Sequence, residues 1–515
     1  MLNNFVQEKN IWKLRNFSNM QAEILVDTSS TIGDIDKRIY GQFIEHLGEC
    51  IYPGIWVGES SKIPNIKGFR KDVLDAIKRL KPPIIRWPGG NFSSGYHWED
   101  GIGPRDKRPK KLELAWNIDG EMKVWNVVES NQFGTCEFIE LCRLIGAQPF
   151  ITVNAGNGSP EEAARWVEYC NFQGDTYYAS MRKMHGYPES FGVKLWSVGN
   201  ELYGEWQIGY CLDGVECARR TIEFVNEMKR VDPTIEIVAV GCDYDAQWNI
   251  DMVKHAGKYF DYLSIHRYAF TSGMTYHDLI AEPFIWENIL HTIYGTVEMT
   301  RVRVGLKKEI KLAFDEWNVW YPEAKPPMLK QNTSVKDALF TGLVLNMLHR
   351  LCREVPIACF AQTVNVLPLI MADFEGRMFV NPQYLAFKLF VDSAQDSVVK
   401  CLVDSPSIFL KKLNRDIDLV QATATFSKSR DKLAVHLVNL SENDDAVCKI
   451  QLKGFKPKKA VFRYVSGKSL DDKNTFDNPN NIIIGEDKAK IENDAIEIEL
   501  RRHSVASVLI EGLTQ

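Results

Sequence analysis

Between about residues 38 and 365, short apolar runs alternate with amphipathic stretches, and this alternation narrows the fold more than any other feature of the chain. Eight runs stand out: Ile39–His46, Ile84–Trp87, Pro149–Asn154, Val193–Glu201, Ile235–Cys242, Tyr262–His266, Leu312–Glu316 and Ile357–Val364. Segments such as Val73–Leu80, Cys136–Ile145, Pro160–Tyr169 and Thr221–Arg230 lie between them, with apolar residues at the helical period. Short apolar runs linked by amphipathic helices predict parallel strands with crossover helices. Eight such units predict a closed (β/α)8 TIM barrel with some long loops. An open doubly wound sheet is the structural alternative, but no glycine-rich phosphate loop follows the first strand.

Past about residue 395 the pattern changes to period-two alternation, as in Leu433–Leu440, Cys448–Leu452, Ala460–Tyr464, Ile496–Leu500 and Ser504–Ile510. Turn-rich breaks such as Asp477–Asn481 separate these segments. The pattern predicts a C-terminal antiparallel β-sandwich domain. The strand-like Ala22–Val26 precedes the barrel and is expected to join the sandwich. The predicted organisation is an extension over 1–20, a catalytic barrel over 38–392, and a sandwich built from 21–37 plus 393–515.

A net charge of −5, with no basic block, argues against nucleic acid as the main partner. No apolar run reaches the length of a membrane helix, and the N-terminus has no signal core. The 11 cysteines are scattered and form no zinc-type spacing. Together these features predict a cytoplasmic protein without a metal centre.

The ends of the apolar runs carry the chemistry. They finish on Glu45 with His46, Arg86, Asn154, Asn200 with Glu201, His266, Glu316 and Gln362. In a parallel barrel those ends share one face, where active sites are built. A ring of hydrogen-bonding groups there suits a polyhydroxyl ligand, and the pair Glu201 and Glu316 is minimal equipment for cleaving a glycosidic bond. Asn200 can donate to a sugar hydroxyl while Glu201 faces the scissile oxygen. His266 and Tyr268 share one strand face at i and i+2. They can orient the nucleophile or hold the sugar. Asp315 is expected on the opposite face of its strand from Glu316, in a structural role. The glycines of Arg86-Trp-Pro-Gly-Gly-Asn-Phe92 let backbone approach a ligand, with Asn91 at the rim.

Taken together, seven segments resemble the α-L-arabinofuranosidases of glycoside hydrolase family 51. They are YGQFIEHLG (40–48), RWPGGNF (86–92), WEDGIGP (98–104), WSVGNELYGEWQIG (196–209), SIHRY (264–268), DEWNVW (315–320) and QTVNV (362–366). The resemblance implies a barrel with a β-sandwich and a retaining, exo-acting enzyme without a cofactor. Such an enzyme releases terminal arabinofuranose from arabinan- or arabinoxylan-type oligosaccharides by double displacement. It implies Glu201 as general acid/base and Glu316 as nucleophile. Glu45, Asn91 and Asn200 are implied as contacts to the sugar hydroxyls, and His266, Tyr268 and Gln362 as the shell around the nucleophile. Trp116 and Trp320 are implied to bracket the leaving group. A homo-oligomer, hexamer or trimer, is implied as well. The set Leu202-Tyr203-Gly204-Glu205 and the region 371–381 depart from the family's commoner pattern. A related retaining glycosidase, such as an endoglucanase or β-xylosidase, is the alternative activity, and a non-catalytic carbohydrate-binding relative is a third reading. The retaining scheme also predicts a Glu201 pKa above that of an ordinary glutamate, raised by the negative Glu316.

Overall fold

The computed structural model describes residues 20–117 and 124–514, so the expected extension over 1–20 lies outside the described residues except for its last position. Strand β1 (Met20–Asp34) belongs to the second domain. The barrel is formed by β2 (Gly41–Phe43), β3 (Ile84–Trp87), β4 (Gln148–Val153), β5 (Leu195–Val198), β6 (Glu236–Val240), β7 (Tyr262–Phe270), β8 (Lys311–Trp320) and β9 (Ile357–Ala361). Each strand pairs in parallel with its neighbour in sequence, and β9 closes the ring on β2. The barrel interior is packed by Phe43, Ile84, Phe150, Leu195, Val238, Ala313, Ile357, Cys359 and Ala361. It is a filled core rather than a pore.

The crossover helices follow their sequence pattern. Helix Lys71–Leu80 buries Val73, Leu74, Ala76, Ile77 and Leu80, one apolar stripe turned towards the strands. Helix Pro160–Asn171 starts where Ser159 accepts from the Glu162 amide, with proline at its first position. Among the described residues no helix is long and apolar enough to cross a membrane.

Strand lengths depart from the sequence expectation in two directions. The first strand shrinks to Gly41–Phe43, because Asp36 accepts from the Arg38 amide and winds Lys37–Tyr40 into a single 3-10 turn. Gly41 is needed there, since a Cβ would lie 2.6 Å from the Ala358 carbonyl of β9. Strands β7 and β8 run longer than expected. Tyr268 pairs with Asn318 and Phe270 with Trp320, beyond the barrel's carboxyl rim. Aromatic residues favour the extended state, and here the rings of Tyr268, Phe270 and Trp320 pack against one another.

The second domain is a ten-stranded sheet. Its later strands are β10 (Ser397–Asp404), β11 (Val420–Phe426), β12 (Lys432–Asn439), β13 (Ala446–Lys453), β14 (Phe455–Ser466), β15 (Gly485–Asp487), β16 (Lys490–Glu492), β17 (Ala495–Leu500) and β18 (Ser504–Thr514). The order is β15-β14-β18-β12-β11-β10-β1-β13-β17-β16. All pairs are antiparallel except β1 with β13. The sheet curls until β14 meets β16 and β17 from its other end. The enclosed face holds one core, including Ile24, Val435, Ile450, Ile498 and Val508.

Candidate active site

Arg86, at the end of β3, is fully buried at the carboxyl end of the barrel. A buried cation needs partners that replace its hydration. Its Nη1 donates to Glu316 Oε1 at 2.5 Å and its Nη2 to Asn200 Oδ1 at 2.7 Å. Nε lies 3.4 Å from Asp315 Oδ2. The guanidinium also rests over the Phe43 ring, 4.6 Å from its centroid. One side chain thus gathers groups delivered by β2, β8 and the turn after β5.

Glu316 is held at both oxygens, for Oε2 accepts from the Tyr268 hydroxyl at 2.7 Å. Glu201 follows Gly199 and Asn200 in a turn with left-handed backbone at Gly199 (φ +79°) and at Glu201 itself (φ +44°). For a non-glycine residue that conformation costs about 1 kcal/mol or more, and it is tolerated where the surroundings fix it. Here the turn aims the carboxylate inward. Glu201 Oε1 lies 2.8 Å from His266 Nδ1, and Oε2 accepts from Trp206 Nε1 at 3.2 Å. One carboxylate oxygen of Glu201, one of Glu316 and a His266 ring nitrogen lie within 4.8 Å of one another. By spacing alone those three donors would also admit a cation.

His266 is the electrostatic centre of this group. Burial works against its charge, but the Glu316 and Asp315 carboxylates outweigh burial and raise its pKa to about 10. Burial also pushes Glu201 up, yet the hydrogen bond and charge of His266 prevail and leave Glu201 below the ordinary glutamate range. That is opposite to the sequence expectation. The expectation weighed only Glu316, and the imidazolium reverses its effect. Tyr268 is pushed well above the ordinary phenol range by burial and by Glu316, so it remains a donor.

Glu45, just past β2, closes the other side. Its Oε1 accepts from the Phe92 amide at 3.0 Å and from Trp116 Nε1 at 3.1 Å, and its Oε2 accepts from Gln362 Nε2 at 2.8 Å. Burial, followed by the charge of Glu316, raises its pKa to about 7. The two glycines make this packing possible. A Cβ on Gly89 would lie 2.5 Å from Glu45 Cγ, and one on Gly90 would lie 2.9 Å from Glu316 Oε1. Asn91 Oδ1 accepts from Asn200 Nδ2 at 3.3 Å and also from Gln207 Nε2. Trp320 stands edge-on to Tyr268 with centroids 5.3 Å apart, and its Nε1 donates to the Ala324 carbonyl at 2.9 Å.

All ten residues expected at the site therefore belong to one connected group. Asp315 joins it too, against expectation. Ser264 opposes Ala313 and His266 opposes Glu316, so β8 carries an extra residue across this stretch. The bulge breaks strict alternation. It sets Asp315 under the site, where Oδ1 accepts from Ser264 Oγ at 2.6 Å and lies 3.4 Å from His266 Nε2. Arg86 was visible in the sequence as a strand-end arginine and Trp206 only as part of the segment 196–209, but their partners were not.

The chain is matched by known proteins along most of its length. Residues 76–280 match the family model described as Alpha-L-arabinofuranosidase 1 domain, and residues 315–504 the Alpha-L-arabinofuranosidase C-terminal domain. An intracellular exo-alpha-(1->5)-L-arabinofuranosidase 1 of Bacillus subtilis (strain 168) is 34% identical over 451 residues, 84% of this chain and 88% of that protein. The crystal structure of an alpha-L-arabinofuranosidase from Thermotoga maritima in an arabinose complex superposes with a TM-score of 0.86 at 38% identity, covering 95% of this chain and all of that one. The thermostable GH51 alpha-L-arabinofuranosidase from Thermotoga petrophila RKU-1 gives the same values. Likeness of this extent, over both domains and at this identity, means that the chain belongs to glycoside hydrolase family 51, the α-L-arabinofuranosidases.

Proposed function

We propose that the protein is a retaining, exo-acting α-L-arabinofuranosidase that releases terminal arabinofuranose from arabinan- or arabinoxylan-type oligosaccharides. The observation that carries this reading is the approach of Glu201 and Glu316 within 4.8 Å, each with its own set of partners. Retaining glycosidases hold their two carboxyl groups about 5–5.5 Å apart, whereas inverting ones leave room for a water.

Glu316 attacks the anomeric carbon. Arg86 and Tyr268 orient it, and both are donors that leave the carboxylate's charge on its oxygens. Glu201 supplies the proton to the departing oxygen. In the free enzyme that proton rests on His266, hydrogen-bonded to Glu201 Oε1. It crosses to Glu201 as the leaving group develops charge. Once Glu316 is esterified, one carboxylate charge is gone. Glu201 then takes a proton from water, which attacks the intermediate. Glu45, Asn91, Asn200 and Gln362 bind the sugar hydroxyls, and Trp116 and Trp320 flank the leaving group. Residues 38–392 form the catalytic unit and 21–37 with 393–515 the supporting sheet domain. The protein works in the cytoplasm as a homo-oligomer, without a metal or organic cofactor.

Hydrolysis of an aryl α-L-arabinofuranoside, undiminished in EDTA, is the direct test. Turnover of an aryl β-glucoside or a cellulose chain, with none of the arabinofuranoside, would overturn the reading. A light-scattering mass near 58.9 kDa would refute the oligomer.

A further inference from the structure

The turn that brings Trp116 to Glu45 is held by a carboxylate with no part in the mechanism above. A short hairpin pairs Lys111 with Glu129 and Leu112 with Val128. Its return strand is fixed to the barrel, where Glu129 Oε2 lies 2.8 Å from His46 Nδ1. On the outgoing strand the Glu113 amide donates to the Val127 carbonyl at 2.9 Å. Cross-strand contact resumes at Asn117. Its carbonyl accepts from the Trp125 amide at 2.7 Å, and its Oδ1 accepts from the Val127 amide at 3.2 Å. Leu114, Ala115 and Trp116 therefore bulge out opposite Asn126, which takes left-handed backbone (φ +54°).

Amides in such a bulge lose their cross-strand acceptors and need others. Glu113 supplies them. Its Oε1 accepts from the Ala115 amide at 2.7 Å and its Oε2 from the Trp116 amide at 2.5 Å. The Glu113 side chain is only 4% exposed, and burial raises its pKa to about 7. A buried carboxylate is costly, so a neutral residue would fill the space more cheaply. An ionised carboxylate alone offers two acceptor oxygens and no donor, which two adjacent amides require. Trp116 has two N–H groups, and each goes to a different buried carboxylate. The backbone N–H goes to Glu113, and the indole N–H to Glu45 Oε1 at 3.1 Å.

We propose that Glu113 is a positioning residue for sugar recognition: by holding the Ala115 and Trp116 amides it seats the indole on Glu45 and so fixes the Glu45 carboxylate for the sugar. Glu113 acts through Trp116 and not on the reacting atoms. The proposal rests on the arabinofuranosidase reading, in which Glu45 binds a sugar hydroxyl and Trp116 flanks the leaving group.

The test is a double-mutant cycle of Glu113→Gln and Trp116→Phe, read as kcat and KM on an aryl α-L-arabinofuranoside. Glu113→Gln keeps the shape but turns an NH2 group towards one of the two amides. It should raise KM about tenfold and change kcat less than about threefold. Trp116→Phe keeps a ring without its N–H and should do the same. Both changes release one contact, so the double variant should also stand about tenfold above wild type, not about a hundredfold. Glu113→Asp, with both oxygens on a shorter arm, should fall between wild type and Glu113→Gln. A wild-type KM in Glu113→Gln, or additive losses in the double variant, overturns the proposal. Amide hydrogen exchange read by mass spectrometry needs no turnover. Exchange across 112–117 should quicken in Glu113→Gln while the barrel strands keep wild-type protection. Protection lost throughout both Glu113 variants would make Glu113 a folding residue and overturn the positioning role. Faster exchange confined to 112–117, with no arabinose released by wild type, would instead retain the anchoring of Trp116 and remove the catalytic reading.

Discussion

Two buried histidine environments in this molecule respond to burial in opposite ways. His266 lies among Glu201, Asp315 and Glu316, and its pKa rises to about 10. His349 and His436 lie between the barrel and the sheet domain, with ring centroids 5.0 Å apart. Their partners are neutral. His349 bonds the Tyr40 hydroxyl at 2.6 Å and Thr423 Oγ1 at 3.0 Å, and His436 Nε2 lies 3.0 Å from Ser393 Oγ. Burial therefore wins there, lowering His436 to about 3 and His349 well below the ordinary range. All three rings are almost fully enclosed. Neighbouring carboxylates, not depth, decide which histidine is charged. The charged one lies among the carboxylates of the candidate site, and the neutral pair lies at the joint.

The sharpest way to test the charged side is to remove its carboxylates. Glu316→Ala should lower kcat on every substrate by about 10⁴-fold or more, since no other group forms the intermediate. Glu201→Ala should lose about 10²–10⁴-fold with poor leaving groups, much less with dinitrophenolate. Azide should restore its turnover and give a glycosyl azide of retained configuration, read by NMR. Retained product from Glu316→Ala, with inverted product from Glu201→Ala, would exchange the two roles.

His266→Phe tests the shared proton. Without the imidazolium, Glu201 keeps only the upward push of burial and neighbouring carboxylates. Its pKa should rise from the depressed value, but no second site would hold the proton to high pH. The alkaline limb of the kcat/KM profile should move to lower pH, with kcat/KM falling about a hundredfold at its optimum. An unmoved limb would show that Glu201 holds its proton independently of His266.

The fold was legible because each barrel strand is buried on both faces and so reads as a continuous apolar run. The site was legible at residues that close those runs, such as Glu201, Glu316 and Gln362. Arg86 was harder to read, because its importance depends on Asn200 and Glu316, 114 and 230 residues away. No local spacing records such a convergence. Asp315 was misplaced because alternation presumes a regular ladder, and the bulge beside His266 depends on how two strands register. The sign of the Glu201 shift failed for the same reason. It depends on a hydrogen bond across the barrel between residues 65 apart.

The smallest effect concerns the joint. Native His436 stays neutral down to about pH 3, while an unfolded histidine takes up a proton below about pH 6.5. Below that pH the unfolded chain binds more protons, so stability falls as pH drops from about 6.5 towards 3. The slope approaches about 1.4 kcal/mol per pH unit for each such histidine. His266 has the opposite sign. Its raised pKa contributes stability that is complete below about pH 6.5 and is lost as pH rises towards 10. His436→Gln removes one titrating ring while leaving an amide within reach of Ser393 Oγ. Urea unfolding at pH 6.5, 5.5 and 4.5 should then show a shallower loss than wild type by up to about 1.4 kcal/mol per pH unit, with little change in slope above pH 7.5. Equal slopes on the acid side would mean that His436 is protonated in the native joint. Burial would then not be the force that keeps this histidine neutral.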